Sequence, residues 1–266
     1  MSATAAVLDQ AKAENRAGLM IYLPVGYPTV ELSIKAAKTA VAAGADIIEL
    51  GLPYSDPGMD GPVIEAAAQQ ALSQGVRTRD VFHAVEQVAQ TGAPTLVMTY
   101  YNPVFRYGVE RFARDLAAHN GAGLITADLT PDEAQPWVQA ADSYDLDKVF
   151  VVAPSSTDER LAMAAAAGRG FLYAASTMGV TGTRQKVGEA AQGLVQRCRA
   201  NGAQRVCVGL GVSTREQAAE VAAYADGVIV GSAAVKALGK AGSEDEALSA
   251  VEALVSELAQ GVRSGR

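Results

Sequence analysis

Short apolar runs alternate with longer amphipathic stretches along nearly the whole chain. The short runs are continuously apolar, as is typical of parallel strands that are covered on both faces. The stretches between them carry apolar residues at helical spacing, for example over 31–43, 78–91, 110–120 and 214–223. Eight strands are predicted, over 19–25, 46–51, 95–100, 123–128, 148–153, 170–175, 205–210 and 226–231. Eight strand–helix units in one α/β chain favour a closed (β/α)8 barrel, the TIM barrel, over an open doubly wound sheet.

Three segments depart from this rhythm. Residues 1–16 predict a short N-terminal helix, and residues 53–74 form an extended loop after strand two that includes a short helix from Pro62. A second extended loop, 176–188, follows strand six and is rich in glycine and threonine. Long loops on a compact barrel are commonly lids or binding loops. We find no composition change that marks a domain boundary and expect one barrel domain over 1–266.

Composition narrows the class of protein. The 266 residues are 49% hydrophobic and 19% charged, and the net charge of -7 comes from interspersed acids and bases. This distribution gives no basic face for nucleic acid or an acidic membrane, and no apolar run is long enough for a membrane span. The spacing of Cys198 and Cys207 fits neither a metal site nor a redox pair, so we expect a cytoplasmic protein without disulfides.

Two carboxylates stand out by their settings. Glu49 ends an apolar stretch that predicts a strand buried on both faces, where an unpaired charge is costly. Asp60 lies in a loop punctuated by proline and glycine. Carboxylates in such different surroundings are how an enzyme separates an acid from a base. Each also has an ordinary explanation, because a neighbouring hydroxyl or backbone group can satisfy Glu49 and Asp60 can be a turn residue before Gly61.

Active sites of such barrels lie at the carboxyl-terminal ends of the strands. That rule selects Glu49, Tyr100 at the end of strand three, Asp128 at the end of strand four and Tyr173 in strand six. Asp128 can instead cap a helix that begins near Pro131, and both tyrosines are compatible with core or rim positions.

Three glycine-rich segments follow the last strands. They are 179–183 after strand six, 209–213 at the end of strand seven and 231–233 at the end of strand eight. Glycines let backbone N–H groups approach an anion closely, and a helix starting at Ser232 offers unpaired N–H groups and the positive end of its dipole. Segments after strands seven and eight form a recurrent phosphate site in barrels, so a phosphorylated substrate is predicted.

The positions of the remaining reactive residues narrow the chemistry. His83 and His119 fall in helical patterns, and Lys148 starts strand five, at the opposite end of the barrel. A histidine–metal site, a histidine base and Schiff-base chemistry at a strand-end lysine are therefore disfavoured. The residues alone predict a metal-free acid–base enzyme that acts on a small phosphate ester.

The motifs closely resemble one known family, the tryptophan synthase α subunit. The resemblance rests on the run 49–62 with its Ser55-Asp56-Pro-x-x-Asp60-Gly-Pro pattern, on the loop 176–182, and on the segment endings at Gly211 and Gly231-Ser232. It implies a barrel that cleaves indole-3-glycerol phosphate into indole and glyceraldehyde 3-phosphate without a cofactor of its own. It also implies a partner, the pyridoxal-phosphate-dependent β subunit, which receives indole through an internal channel in an α2β2 assembly.

The resemblance also implies roles for single residues. Glu49 matches the family's general acid/base, and Asp60 matches the carboxylate that hydrogen-bonds the indole N–H. A fixed carboxylate beside that nitrogen stabilises the positive charge formed when the ring carbon is protonated. The remaining matches are Tyr173, Tyr22 and Tyr100 in the indole pocket, Thr181 as a contact of Asp60 in the closed loop, and Gly182, Gly211, Gly231 and Ser232 in the phosphate site.

Some positions depart from the common family pattern, and two other functions stay open. Thr130 stands where a proline is usual, and the residues at 22–26 and at 58–59 also differ from many members. These changes affect pocket shape and subunit coupling and remove no catalytic group. The alternatives are another phosphate-ester barrel enzyme and a non-catalytic phosphate-binding subunit that regulates a partner.

Overall fold

Eight parallel strands close into one barrel in the computed structural model, in the order β1 to β8, with β8 paired back to β1. The structure describes residues 2–175, 184–209, 211–240 and 242–265. The strands are β1 (Gly18–Pro24), β2 (Ile47–Gly51), β3 (Thr95–Thr99), β4 (Gly123–Thr126), β5 (Asp147–Val152), β6 (Leu172–Ala175), β7 (Val206–Gly209) and β8 (Gly227–Val230). The predicted (β/α)8 TIM barrel is therefore confirmed.

Helices pack around the outside of the barrel, and several begin at residues suited to capping. Thr29, Thr157 and Thr214 each accept a hydrogen bond from a backbone N–H in the first turn of the helix that follows. The helices are α1 (Ala3–Ala13), α2 (Val30–Ala42), α3 (Pro62–Ser73), α4 (Thr78–Ala89), α5 (Tyr101–Tyr107), α6 (Val109–Ala118), α7 (Gln135–Ser143), α8 (Asp158–Ala167), α9 (Arg184–Ala200), α10 (Arg215–Ala222), α11 (Ser232–Gly239) and α12 (Glu244–Ser264). No helix within the described ranges is both long enough and apolar enough to cross a bilayer.

The predicted N-terminal helix is confirmed as α1, which lies across the amino-terminal end of the barrel. Leu8 of this helix packs against the residues that fill the barrel interior. The buried carboxylate of Asp147, at the start of β5, accepts hydrogen bonds from Ser2 Oγ at 2.9 Å and Thr4 Oγ1 at 2.6 Å. With α1 anchored at this end, the opposite end is left to form a site.

Side chains inside the barrel form layers. The deeper layer contains Met20, Ile47, Leu96, Ile125, Val149, Phe171, Cys207 and Ile229. Successive side chains of a strand point to opposite faces, so the residues two positions further along face the same interior, nearer the carboxyl-terminal end. That upper layer includes Tyr22, Glu49, Met98, Val151 and Tyr173. The strand period therefore brings Glu49 and two of the predicted tyrosines into one layer.

Five predicted strand ends, those of β1, β3, β4, β5 and β8, are one or two residues too late, and two of them concern predicted site residues. β3 ends at Thr99 and β4 at Thr126, so neither Tyr100 nor Asp128 belongs to a strand. The carboxylate of Asp128 accepts a hydrogen bond of 2.7 Å from the N–H of Tyr101, the first residue of α5. Asp128 thus binds the start of α5, a helix absent from the prediction, and does not cap the turn at Pro131–Glu133.

The two predicted extended loops differ in how much of them is described. The segment after β2 runs over 52–61 and then enters α3, which confirms the helix predicted from Pro62. Of the loop predicted after β6, residues 176–183 lie outside the described residues, and α9 begins at Arg184.

Candidate active site

A cavity of about 250 Å³ opens at the carboxyl-terminal end of the barrel. Five of the predicted site residues line it, namely Asp60, Tyr173, Gly211, Gly231 and Ser232. The wall between these groups is apolar and is formed by Ile64, Met98, Val151 and Ile229. A mostly apolar cavity with a few polar groups at its edge is the usual form of a small-molecule site.

Glu49 is the most unusual group of the upper layer. It is fully buried on β2, between Tyr22 of β1 and Leu96 of β3 in the strand register. Neither carboxyl oxygen has a hydrogen-bond partner among the described residues, so the ordinary explanation of a satisfied carboxylate finds no support there. Burial raises the pKa of Glu49 to about 8, because the charged form loses its hydration. Glu49 therefore holds a proton at neutral pH.

Tyr22, which is buried, and Tyr173, which is partly buried, stand beside Glu49, and each lies against a strand-end glycine. A Cβ atom at Gly51 would lie 2.3 Å from the hydroxyl of Tyr22, and one at Gly209 would lie 2.5 Å from the hydroxyl of Tyr173. Burial raises the pKa of both tyrosines, and the nearby carboxyls of Glu49 and Asp60 raise it further. Both phenols therefore stay protonated and face the two carboxyl groups.

Asp60 lies at the edge of the cavity, half-buried, and is held by Tyr100. The hydroxyl of Tyr100 donates a hydrogen bond of 3.2 Å to Asp60 Oδ1 and accepts one of 2.9 Å from the N–H of Met59. Burial raises the pKa of Asp60, while the hydrogen bond from Tyr100 opposes that shift. The predicted contrast between Glu49 and Asp60 is thus present as a difference in burial and in partners.

The opposite edge of the cavity carries the start of a helix. α11 begins at Ser232 after Gly231, and its first turn contains no acidic residue. Gly211, in the segment after β7, has a positive φ of 66° and no atom near the position of a Cβ, so backbone lies open to the cavity there. Unpaired N–H groups of a helix start beside exposed backbone can bind an anion.

Some predicted residues lie elsewhere or outside the described part of the chain. Thr181 and Gly182 fall within 176–183 and are not described. His83 lies on α4, and His119 follows α6, where its ring stacks on Phe82. Within the described residues, no group of three or more His, Cys, Asp or Glu side chains is arranged to hold a metal ion.

The sequence pattern marks neither Gly51 nor the apolar wall of the cavity. Three of the wall residues, Met98, Val151 and Ile229, sit in continuously apolar strands, so their pattern does not reveal which side chains point inward. The signal available for Gly51 was its place two residues after Glu49, on the same face of β2, where a small residue leaves room above the carboxyl.

The pKa of Glu49 makes a prediction about stability. In the unfolded chain Glu49 ionises near its ordinary pKa of 4.5, whereas in the folded chain it keeps its proton up to about pH 8. Between these values the unfolded state alone releases the proton from this group, so the contribution of Glu49 to wild-type stability falls as pH rises. We expect Glu49→Gln to gain stability relative to wild type across this range, reaching about 3–5 kcal/mol above pH 8.

Urea unfolding at several pH values between 4 and 9 tests this expectation. Glu86→Gln, on an exposed position of α4, is the matched control and should track the wild type. A stability difference between Glu49→Gln and wild type that does not change with pH would contradict the burial argument.

The contact between Gly51 and Tyr22 makes a second prediction. Gly51→Ala forces the Tyr22 ring to move, because three ring and hydroxyl atoms lie within 2.9 Å of the new Cβ. We expect a loss of about 1–3 kcal/mol in the free energy of unfolding, as for overpacked cores. In a Tyr22→Leu background, which lacks those atoms, the same change should cost much less. Gly58→Ala, which meets no atom within 4 Å, is the control. Equal costs of Gly51→Ala in both backgrounds would refute the contact.

The chain is similar to known proteins over nearly its whole length. A family model described as tryptophan synthase alpha chain matches residues 8–263. The tryptophan synthase alpha chain of Mycobacterium marinum is 58% identical over 257 residues, which cover 97% of this chain and 93% of that protein. The tryptophan synthase alpha chain of Nocardia farcinica is 58% identical over 254 residues, covering 96% and 93%.

Solved structures give the same result. A chain of Mycobacterium tuberculosis tryptophan synthase matches with a TM-score of 0.92 at 56% identity, covering 98% of both chains. Tryptophan synthase subunit alpha from Legionella pneumophila str. Paris matches with a TM-score of 0.90 at 31% identity, again covering 98% of both. The resemblance found in the sequence motifs is therefore confirmed, and the chain belongs to the tryptophan synthase alpha chain family.

Proposed function

We propose that this chain is a carbon–carbon lyase that cleaves indole-3-glycerol phosphate into indole and glyceraldehyde 3-phosphate. The observation that carries the proposal is the fully buried Glu49, which keeps a proton at neutral pH in the same interior layer as the cavity-lining Tyr173. The cavity has a carboxylate, Asp60, at one edge and a helix start, Ser232, at the other. Membership of the tryptophan synthase alpha chain family supports the same reaction.

The first step uses Glu49 as the acid. Its carboxyl proton is transferred to the indole ring carbon that carries the glycerol phosphate chain, and the ring nitrogen takes up the positive charge. Asp60 accepts a hydrogen bond from that N–H and stabilises the charge electrostatically, an effect that is strong in a site that excludes water. The apolar wall of Met98, Val151 and Ile229 suits the indole ring.

The second step uses Glu49 as the base. Its carboxylate takes the proton of the side-chain hydroxyl next to the ring, a carbonyl forms at that carbon, and the bond between it and the ring carbon breaks. The bonding electrons return to the indole ring and neutralise the nitrogen. Glu49 ends protonated, as it began, so the cycle needs no oxidant and no cofactor of the chain's own. Such positioned proton transfer is worth about 100- to 10,000-fold in rate.

The remaining site residues bind the substrate in this proposal. Tyr22 and Tyr173 form sides of the indole pocket, where Gly51 and Gly209 leave room for their rings. Backbone of Gly211 and Gly231 and the start of α11 at Ser232 bind the phosphate, which the helix dipole favours. Thr181 and Gly182 are assigned by the family resemblance, Thr181 to Asp60 and Gly182 to the phosphate.

The proposed partner is a tryptophan synthase β subunit, in an α2β2 assembly, which holds the pyridoxal phosphate and receives the indole. Phe105 on α5 supports an interface at the site's end of the barrel, because its side chain is 66% exposed. It is the one large apolar side chain left exposed within the described residues. α5 also contacts the loop after β2, since the amide of Asn102 donates to the hydroxyl of Tyr54.

Two free, buried thiols, Cys198 and Cys207, agree with a cytoplasmic location.

Indole release from indole-3-glycerol phosphate tests the proposed reaction, with and without a β subunit. We expect slow release by the wild-type chain alone, marked stimulation by β, and a loss of at least 100-fold for Glu49→Gln. Asp60→Asn should also lose most activity, because its amide carries no charge. kcat/KM should decline as pH rises through about 8, since Glu49 must enter the reaction protonated.

Equilibrium binding of glycerol phosphate by the Glu49→Gln protein separates catalysis from binding. We expect binding to survive in this variant. A folded wild-type chain that releases no indole under either condition would overturn the lyase assignment and favour a non-catalytic phosphate-binding subunit.

Exposure of Phe105 makes a separate prediction about the partner. Phe105→Ser should weaken association with β at least tenfold in analytical ultracentrifugation, because a large apolar side chain at the centre of an interface is commonly a main contributor to affinity. Phe105→Leu, which keeps an apolar side chain, should lose much less. The basal activity of the isolated chain should stay near wild type in both variants. Unchanged affinity of Phe105→Ser would remove α5 from the interface.

A further inference from the structure

Residues 56–60, the part of the loop after β2 that carries Asp60, have few connections to the rest of the molecule. Within the described residues, both hydrogen bonds that tie residues 56–60 to another element end on one group, the hydroxyl of Tyr100. It accepts from the N–H of Met59 and donates to Asp60 Oδ1. The bond between Ser55 and Asp56 stays within the loop. The conformation of the segment that carries Asp60 therefore depends on this hydroxyl.

Tyr100 itself is firmly held. It is only 6% exposed and lies between the end of β3 and the first residue of α5. Asp128 fixes the next residue by accepting the N–H of Tyr101 at 2.7 Å. The ring of Tyr54 packs on the ring of Tyr100 with 5.3 Å between centroids. A rigid donor thus meets the segment 56–60, which makes no other hydrogen bond to another element within the described residues.

The hydroxyl uses one carboxylate oxygen of Asp60 and leaves the other available. Oδ1 accepts from Tyr100, whereas Oδ2 accepts no hydrogen bond from any side chain or backbone group within the described ranges. Because Asp60 lines the cavity, fixing Oδ1 determines the direction in which Oδ2 can accept a hydrogen bond from a ligand. A carboxylate fixed in this way need not reorient when positive charge develops beside it, so no reorganisation energy is lost.

We propose that Tyr100 is a positioning residue whose hydroxyl orients Asp60 and the loop after β2 for the reaction, in addition to any contact of its ring with the substrate. The inference rests on the proposed function, because it assumes that Asp60 accepts the indole N–H. In this proposal, the hydrogen bond from the Tyr100 hydroxyl orients the Asp60 carboxylate for catalysis before substrate binds.

The ionisation of Asp60 gives a readout that a packing role for Tyr100 would not change. Burial raises the pKa of Asp60, the hydroxyl of Tyr100 lowers it and the charge of Glu65 raises it. Tyr22 and Tyr173 also face Asp60, from β1 and β6, as neutral phenols. Loss of the Tyr100 hydroxyl removes a donor that favours the charged form, so the pKa of Asp60 must rise. Asp60 acts as the carboxylate, so activity then begins to fall at a higher pH on the acid side.

Tyr100→Phe is the direct test, because it removes the hydroxyl and keeps the ring. We expect kcat/KM for indole-3-glycerol phosphate to fall about tenfold and the acid limb of its pH profile to move upward. Tyr144→Phe is the matched control, since it removes a phenol that donates to Glu110 on the protein surface, and it should behave as wild type. Unchanged kcat/KM and an unchanged acid limb in Tyr100→Phe would overturn the proposal.

Replacement of Tyr100 by 3-fluorotyrosine gives the opposite perturbation without loss of the hydroxyl. The fluorinated phenol is a stronger donor, so the acid limb should move downward. Carboxyl NMR of the substrate-free protein, with the Asp60 signal assigned from Asp60→Asn, should show the same two directions of shift. A tenfold loss of activity in Tyr100→Phe with no change in the Asp60 titration would mean that Tyr100 only shapes the pocket, which also overturns the proposal.

These experiments separate the two levels of inference. The NMR titration needs no turnover, so it tests the hydrogen bond to Asp60 even if the wild-type chain fails to release indole. If wild type releases indole and the titration is unaffected by Tyr100→Phe, the lyase assignment stands and only the positioning role falls.

Discussion

Closure of the sheet into a barrel is the constraint on which the whole site depends. Once β8 pairs with β1, every second side chain of each strand must point into the barrel interior. Residues far apart in the sequence, such as Tyr22, Glu49 and Tyr173, then share one layer beneath the open end. No local motif brings these groups together, because each contributes a single position on its own strand.

Glu49 shows what that enclosure does to a titratable group. A carboxyl in a closed apolar layer loses hydration, and within the described residues nothing replaces the lost hydrogen bonds. The chain accepts lower stability at neutral pH than a fully apolar layer would give, and it gains a group that carries a proton at that pH. Asp60, in a loop at the edge of the same cavity, keeps a hydrogen-bond donor and partial contact with water, so one cavity holds two different carboxyl groups.

The sequence reveals the strands and the carboxylates better than it reveals their surroundings. Continuous apolar runs mark all eight strands, and the cost of a buried charge marks Glu49 as unusual from its sequence position alone. The same runs conceal which face of each strand points inward, because both faces are apolar, so the pattern does not identify Met98 and Val151 as walls of the cavity. The hydrogen bond between Tyr100 and Asp60 joins separate segments of the chain, so no local pattern predicts it. α5 is not predicted because a seven-residue helix shows little periodicity.

The anchoring of α1 has a consequence for synthesis on the ribosome. Asp147 lies 143 residues after Thr4, so α1 cannot form its side-chain bonds to β5 until those residues have been translated. At roughly 5–20 residues per second, the wait is about 7–30 s. During that time the apolar face of α1, including Leu8, has no barrel to pack against, and it is available to chaperones or to the growing strands.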